Sequence, residues 1–327
     1  MDESFFKDLL EIDSTSGRER VLSEWLARTL AGFAPHMELS EVGDGTQNLL
    51  LSWGTPRLVY CTHMDTVPPY IPPTFEQDRV LGRGSCDAKG QIMAILGAAG
   101  KLSDSGRTDF GVLLLSGEET GSFGAKAFAR TAFKAPYLVI GEPTGGRMVS
   151  AAKGTKSFDV TFEGEAFHSG YPQYGRSAVN MFLDFMQELK EACFEDDPLL
   201  GQTTCNVGEL YSPNPQNILS PALSCRVYMR TTFASDNQVT GFMSRQRPHI
   251  SVTARGGDAP AHYFTIPGIE TCTVAFGSDA PHLTGFEHKM ICGPGSILVA
   301  HRDDEQILKA DIEKAVETYI KIYEALQ

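Results

Sequence analysis

The chain has 327 residues, 42% of them hydrophobic and 21% charged, so it can form the core of one large domain or of two ordinary ones. A net charge of −13 argues against a nucleic-acid-binding face, no run of about 18 apolar residues predicts a membrane span, and the N-terminus lacks the pattern of a signal peptide. Seven cysteines without CxxC spacing are typical of reduced thiols in a cytoplasmic protein, so we expect a cytoplasmic location and neither a nucleic-acid nor a membrane partner.

The first part of the chain alternates helices with strands that are apolar throughout. Helical spacing predicts helices over 3–11, 17–31, 89–102 and 121–133, and we expect Ser14 to Ser16 to cap the second. The predicted strands cover 48–53, 57–63, 110–120 and 136–144. This order predicts an α/β fold with a mostly parallel sheet and helices on both faces.

The pattern changes near residue 154, where strands begin to alternate apolar and polar residues. Such strands are predicted over 156–167, 202–213, 222–233 and 248–257, with an amphipathic helix over 177–194. Apolar strands return after residue 258, and an amphipathic helix over 304–327 closes the chain. We therefore expect a discontinuous first domain, 1–153 and 258–327, and an inserted α+β domain over 154–257.

Histidines and acids stand where the apolar strands of the first domain stop. They are His63, Asp65, Asp87, Glu118, Glu119, Glu142 and His301. Ligands of open α/β sheets bind outside the carboxyl ends of the strands, so these side chains could meet at one edge. Residues two apart in an extended chain point the same way, so Asp65 can hydrogen-bond one ring nitrogen of His63 and leave the other for a metal.

The chemistry of this set favours metal ions. Clustered carboxylates repel one another unless cations offset their charge, so a pair of divalent ions is the natural arrangement. Nitrogen and oxygen ligands together suit zinc, with cobalt or manganese as replacements. Taken singly, each residue could instead be a helix cap, a solvated loop acid or a surface hydrogen bond. Five of them suffice as ligands, and one acid is left over to act as a base.

Five motifs carry a resemblance to a known family. They are "THMDTVPP" (62–69), "GRGSCDAKGQ" (82–91), "SGEETGSFGA" (116–125), "GEPT" (141–144) and "GPGSILVAHRDDE" (293–305). Together they resemble the co-catalytic zinc amidohydrolase and peptidase family of acetylornithine deacetylase, succinyl-diaminopimelate desuccinylase and carboxypeptidase G. The resemblance covers nearly the whole chain.

The resemblance implies a set of ligands for two divalent ions. His63 and Glu142 would bind one zinc, Glu119 and His301 the other, and Asp87 would bridge the two. The family also implies a cis peptide bond directly after the bridging aspartate, at Asp87–Ala88.

Two further roles follow from the resemblance. Asp65 would orient His63, and Glu118 would take the proton from the bridging water and pass it to the leaving amine. The reaction implied is hydrolysis of an amide bond.

The inserted domain resembles the lid of the family. "EAFHSGYPQYGRSAVN" (165–180) resembles the segment whose histidine reaches the neighbouring subunit, which implies a homodimer through the lid with His168 as an oxyanion donor in trans. Asn217 and Arg230 match lid positions that contact substrate in relatives, and an arginine suits an α-carboxylate. On the residues alone, His168 could be an exposed strand-end histidine and Arg230 a salt bridge at the rim.

We therefore expect a hydrolase that removes an N-acyl group from an amino acid. Pro281 stands where the desuccinylase branch carries arginine, which weakens the case for a succinyl group. A dipeptidase or carboxypeptidase with the same metals is the alternative among enzymes. The alternative of another class is a non-catalytic binding protein on a hydrolase scaffold, which would tolerate loss of Glu118 or of a ligand; every one of these residues is present.

Overall fold

The computed structural model describes residues 2–327 and divides into two compact units. Within the described residues, the first unit comprises 2–150, 263–272 and 278–327, and the second comprises 151–262 and 273–277. No helix in the described range is long and apolar enough to cross a membrane.

The chain contains seven α-helices and sixteen strands between residues 2 and 327. The helices are α1 (Glu3–Glu11), α2 (Arg20–Thr29), α3 (Lys89–Asp104), α4 (Phe123–Phe128), α5 (Ala178–Glu191), α6 (Asp236–Met243) and α7 (Lys309–Ala325). The strands are β1 (His36–Gly43), β2 (Thr46–Gly54), β3 (Leu58–His63), β4 (Thr74–Phe75), β5 (Arg79–Leu81), β6 (Asp109–Leu115), β7 (Ala135–Ile140), β8 (Met148–Ala152), β9 (Gly154–Glu163), β10 (Thr204–Tyr211), β11 (Ala222–Thr231), β12 (Ile250–Gly256), β13 (Ala261–His262), β14 (Thr271–Val274), β15 (Phe286–Ile291) and β16 (Gln306–Leu308).

The first unit is built on a six-stranded sheet in the order β1-β2-β6-β3-β7-β15. The pairs from β6 to β15 are parallel, whereas β1 and β2 add an antiparallel edge. All six residues of β3 are buried, which is why its sequence is apolar from Leu58 to Cys61. Helices α1 and α7 both pack on α3, whose small residues allow close approach. The mixed α/β class with a mostly parallel sheet is confirmed.

The second unit is an antiparallel sheet in the order β10-β11-β9-β12 with α5 packed on β9 and β11. Alternate residues of β11 are buried, as the alternating sequence predicts. Its apolar core includes Phe162, Phe185, Val227 and Phe242. Strands β10 and β12 are the two edges of this sheet.

Three details differ from the sequence-based expectations. Ser14 to Ser16 do not cap α2, because the helix begins after Glu19; Ser14 and Ser16 instead bond the segment that follows β3. The apolar run before His301 is not a strand, since β15 ends ten residues earlier and His301 lies in a turn with φ +64°. The predicted strand at 110–120 ends at Leu115, and a turn carries the acids that follow.

Candidate active site

Three adjacent parallel strands deliver most of the candidate ligands. His63 is the last residue of β3, Glu118 and Glu119 lie in the turn after β6, and Glu142 follows β7 by two residues. Parallel neighbours end at the same edge of a sheet, so the order β6-β3-β7 gathers these side chains. Asp87 reaches the same edge from the turn that precedes α3.

Asp87 lies between the two histidines and offers one oxygen to each. Its Oδ1 is 3.0 Å from His63 Nε2, and its Oδ2 is 3.4 Å from His301 Nε2. His301 Nε2 is also 2.9 Å from Glu119 Oε1. One carboxylate shared between two histidines is the arrangement expected of a ligand that bridges two ions.

The electrostatics of this cluster favour positive charge. Desolvation, followed by neighbouring carboxylates, raises the pKa of Glu118 and Glu142 well above the usual range of a glutamate. Burial disfavours the charged form of His63, but Asp65 and Asp87 outweigh it and raise its pKa. Hydrogen bonds to Asp87 and Glu119 raise the pKa of His301 to about 10. The same negative field would favour divalent ions.

The residues present fit a zinc site. Ligand atoms of His63, Asp87 and Glu119 all lie within 4.8 Å of one another. Glu142 is buried beside His63 and Asp87, close enough for their charges to act on its carboxyl. The donor set is two imidazole nitrogens and several carboxylates, which zinc accepts.

Asp65 contacts the acidic turn as well as His63. The contact to His63 Nδ1 comes from the backbone oxygen of Asp65 at 2.9 Å, with the carboxylate Oδ1 farther away at 3.4 Å. The carboxylate instead accepts the hydroxyl of Ser16 at 2.8 Å and the backbone N–H groups of Glu118 and Glu119 at 3.0 and 3.1 Å. Asp65 therefore links His63 to the acidic turn.

Glu305 is a supporting residue that the motif search did not single out. Its carboxylate accepts the N–H groups of Cys86 and Asp87 at 3.1 and 3.0 Å and pairs with buried Arg83 at 2.7 Å. It thereby fixes the backbone that presents Asp87. The peptide bond Asp87–Ala88 is cis, as the resemblance implied. In the sequence, Glu305 is one of three acids in the "RDDE" segment, and nothing in that pattern distinguishes it from its exposed neighbours.

Asp279 is a second acid that sequence reasoning left without a role. It is buried, and burial followed by the charge of Asp65 raises its pKa to about 6, against the effects of His63 and of the Ser122 hydroxyl. One of its carboxylate oxygens has no hydrogen-bond partner in residues 2–327. Its charge acts on Glu118, so it belongs to the surroundings of the acidic turn.

In the second unit, His168 and Asn217 lie on neighbouring segments. His168 forms a bridge with Ile218, and the N–H of Ser169 donates to the backbone oxygen of Asn217 at 2.9 Å. His168 is exposed, and its Nδ1 accepts the N–H of Gly170 at 3.0 Å. The neutral ring therefore carries its proton on Nε2, where it can donate.

Arg230 lies on β11 and has a second cation beside it. Its guanidinium stacks over the ring of Tyr228 at 5.0 Å, and its charge helps to lower the pKa of half-buried Lys153 after the effect of burial. Within residues 2–327 neither cation has a carboxylate within 4.0 Å. The rim salt bridge considered for Arg230 is therefore absent from the described range. Lys153 was not anticipated, because one lysine in "SAAKG" carries no pattern.

Comparison with known proteins agrees with this geometry. The model of peptidase family M20/M25/M40 matches residues 59–325. The chain belongs to this family. It is a metal-dependent hydrolase of amide bonds. A protein of Aspergillus oryzae described as a probable carboxypeptidase is 30% identical over 372 positions, which cover 98% of this chain and 86% of that protein. An M20-domain protein of Schizosaccharomyces pombe is 31% identical over 332 positions, which cover 97% of this chain and 82% of that protein.

Solved structures of the family share the fold. A tripeptidase from Staphylococcus aureus superposes with a TM-score of 0.83 at 18% identity, covering 99% of this chain and 98% of that one. An M20 metallo-carboxypeptidase from Sulfolobus solfataricus superposes with a TM-score of 0.75 at 18% identity, and the match covers 99% of both chains. The recognition of a co-catalytic zinc hydrolase family from the motifs is thereby confirmed.

Proposed function

We propose that the protein is a two-metal exopeptidase that hydrolyses the amide bond next to a free C-terminal carboxylate. The observation that carries the proposal is Asp87, whose two oxygens face different histidines while Glu118 stands beside the ligand set. His63 and Glu142 would hold one ion, Glu119 and His301 the other, and Asp87 both. Zinc is the expected metal, with cobalt or manganese as substitutes.

Glu118 is the proposed general base. Divalent ions bound here would supply Lewis acidity toward the amide carbonyl and the attacking water. Glu118 takes a proton from the water as the water oxygen bonds to the carbonyl carbon. Glu118 then gives this proton to the amine nitrogen as the C–N bond breaks. No described residue donates a hydrogen bond to the Glu118 carboxylate, so it is free to bind water.

Arg230 and Lys153 support the preference for a carboxylate. Two half-buried cations without an acidic partner are suited to an anion of the substrate, and arginine can bind a carboxylate with two parallel hydrogen bonds. The names of the A. oryzae relative and the S. solfataricus structure point the same way. Asn217, which lies beside His168 rather than beside Arg230, is proposed as a further contact to the substrate.

A homodimer with His168 as a donor in trans is proposed as well. Apolar side chains around His168 are exposed in the second unit, namely Phe167, Tyr171, Tyr174 and Ile218. Strand β10 is an edge with unpaired backbone groups, and pairing with a second copy is a common way to cover such an edge. The Nε2–H of His168 would stabilise the oxyanion of the partner's site.

Removal of an N-acyl group from an amino acid is the second candidate. It is supported by the "GEPT" motif around Glu142, which resembles the deacetylase branch. The two candidates share the bond cleaved and the C-terminal carboxylate, and differ in whether the substrate carries a free amine.

A matched substrate set separates the candidates. Zinc-loaded protein would be given a dipeptide, its N-acetyl form, its C-terminal amide and an N-acetyl amino acid, with Glu118→Gln as the inactive control. Cleavage of the dipeptide but not of the amide is expected. Cleavage of the N-acetyl amino acid alone would favour the deacylase, and no cleavage of any member by folded, zinc-loaded protein would refute both.

A further inference from the structure

Four consecutive backbone N–H groups, those of residues 116–119, are held by side-chain oxygens. Asn48 Oδ1 accepts the N–H of Ser116 at 3.1 Å, and Glu19 Oε1 accepts that of Gly117 at 3.0 Å. The two oxygens of Asp65 accept the next two, at 3.0 and 3.1 Å. The run begins where β6 ends, so these groups have left the hydrogen-bond ladder of the sheet and need other partners.

Glu19 is the acid of this set without an assigned role. It is 0% exposed, lies 98 residues before Gly117 in the chain, and has no Lys or Arg within 4.0 Å of its carboxylate in residues 2–327. Its Oε2 accepts no hydrogen bond from any residue in the described range 2–327. Glu19 stands directly before α2, but its side chain makes no capping bond to that helix.

A buried acid without a counter-ion costs stability, so its position calls for another explanation than helix capping. Glu19 reaches away from its own helix to the residue before the general base. Gly117 has φ +70°, and a Cβ there would lie 3.2 Å from the ring of Phe123, so the turn is tightly confined. The direction of the Glu118 side chain depends on how this turn is held.

We propose that Glu19 is a positioning residue for Glu118: its carboxylate holds the Gly117 N–H and so fixes the turn from which the base projects. The inference rests on the proposed function, because it assumes that Glu118 acts as the base. Glu19 and Asp65 then hold the turn from two sides, one before Glu118 and one at Glu118 itself.

The test compares three substitutions at Glu19. Glu19→Gln keeps an acceptor oxygen for Gly117 and should retain kcat within about threefold, because a neutral oxygen still accepts the N–H. Glu19→Ala removes the acceptor, and Glu19→Asp is one methylene too short to reach. Both should lower kcat about 100-fold with KM and zinc content unchanged, since a misplacement of about 1 Å costs that much.

Ser23→Ala is the matched control. Ser23 is a buried polar residue of α2, the helix that Glu19 precedes; its hydroxyl bonds Arg20 and Gln47 and makes no hydrogen bond to residues 116–119. The Ser23→Ala variant should have a lower unfolding midpoint than the wild type and an unchanged kcat. If Glu19→Ala does not fold, Glu19→Asp and Glu19→Gln still provide the comparison.

Hydrogen exchange of the segment 116–119 gives a readout that does not need a substrate. Exchange should become faster in Glu19→Asp or Glu19→Ala and stay slow in Glu19→Gln and Ser23→Ala. Unchanged exchange or unchanged kcat in the folded Asp variant overturns the proposal, as does loss of zinc in step with activity. If the wild-type protein cleaves no substrate but the variants change the exchange of 116–119 as described, the proposed function is refuted and the positioning of the turn by Glu19 is not.

Discussion

Replacing Glu118 by glutamine should separate the general base from the metal ligands. The amide has the same shape but cannot take a proton from water. General base assistance is worth about 10²–10⁴ in rate, or about 2.7–5.4 kcal/mol of activation free energy, so kcat should fall by this factor. Burial, followed by the charges of Asp279, Glu119 and Asp87 and against that of His63, raises the pKa of Glu118 and so disfavours its ionised form. A neutral amide relieves that repulsion, so the unfolding midpoint should not fall.

The matched control is Glu119→Gln, one residue along the same turn. Glu119 Oε1 contacts His301 Nε2 at 2.9 Å, so this variant should lose zinc affinity rather than the base. The assay is steady-state cleavage of a dipeptide together with zinc content per chain after gel filtration. Glu118→Gln should keep both ions with low kcat. Equal zinc loss in the two variants, or an active Glu118→Gln protein, would refute the division of roles.

Three other predictions concern the support of the site, the metals and the dimer. Glu305→Ala leaves Arg83 buried without its partner and frees the backbone at Asp87, so it should destabilise the protein by about 3–5 kcal/mol in urea titration and weaken zinc binding about 10–100-fold. Zinc at 100 times its Kd should stabilise the chelator-treated protein by about 2.7 kcal/mol for each ion bound, seen as a higher unfolding temperature; no shift would contradict a preformed site. Mixing inactive Glu118→Gln and His168→Ala chains should restore part of the activity, because one site of each mixed dimer has both groups; mixed dimers that stay inactive would exclude action in trans.

The sequence was sufficient to predict where three of the segments that carry candidate ligands meet. β3, β6 and β7 are largely apolar, and each ends in, or is followed within three residues by, a histidine or an acid. Burial on both faces forces that apolar composition, and the change to polar residues marks the edge of the sheet. His63, the 118–119 pair and Glu142 could therefore be placed together without coordinates.

Other parts of the site depend on contacts that no local pattern records. Glu19 and Glu305 act on backbone groups 98 and 218 residues away, so neither has a neighbour in sequence that reveals its partner. The position of His301 follows from a long loop after β15 rather than from a strand. The acceptor for His63 Nδ1 is a backbone oxygen of Asp65, and backbone oxygens leave no trace in residue identity.

The hydrogen bonds of the acids at and around this sheet edge sort them into two groups. Asp65 and Glu305 each accept two backbone N–H groups, and Glu19 accepts one, so their oxygens are committed to holding the chain. No backbone N–H of residues 2–327 donates to the side chains of the other acids at this sheet edge, namely Asp87, Asp279, Glu118, Glu119 and Glu142. A carboxylate that is already satisfied by N–H donors is a poorer ligand, since binding an ion would break those bonds. The acids crowded at one sheet edge thus fall into a group that is available to metals and water and a group that positions the first. Backbone geometry, rather than residue type, separates the two groups.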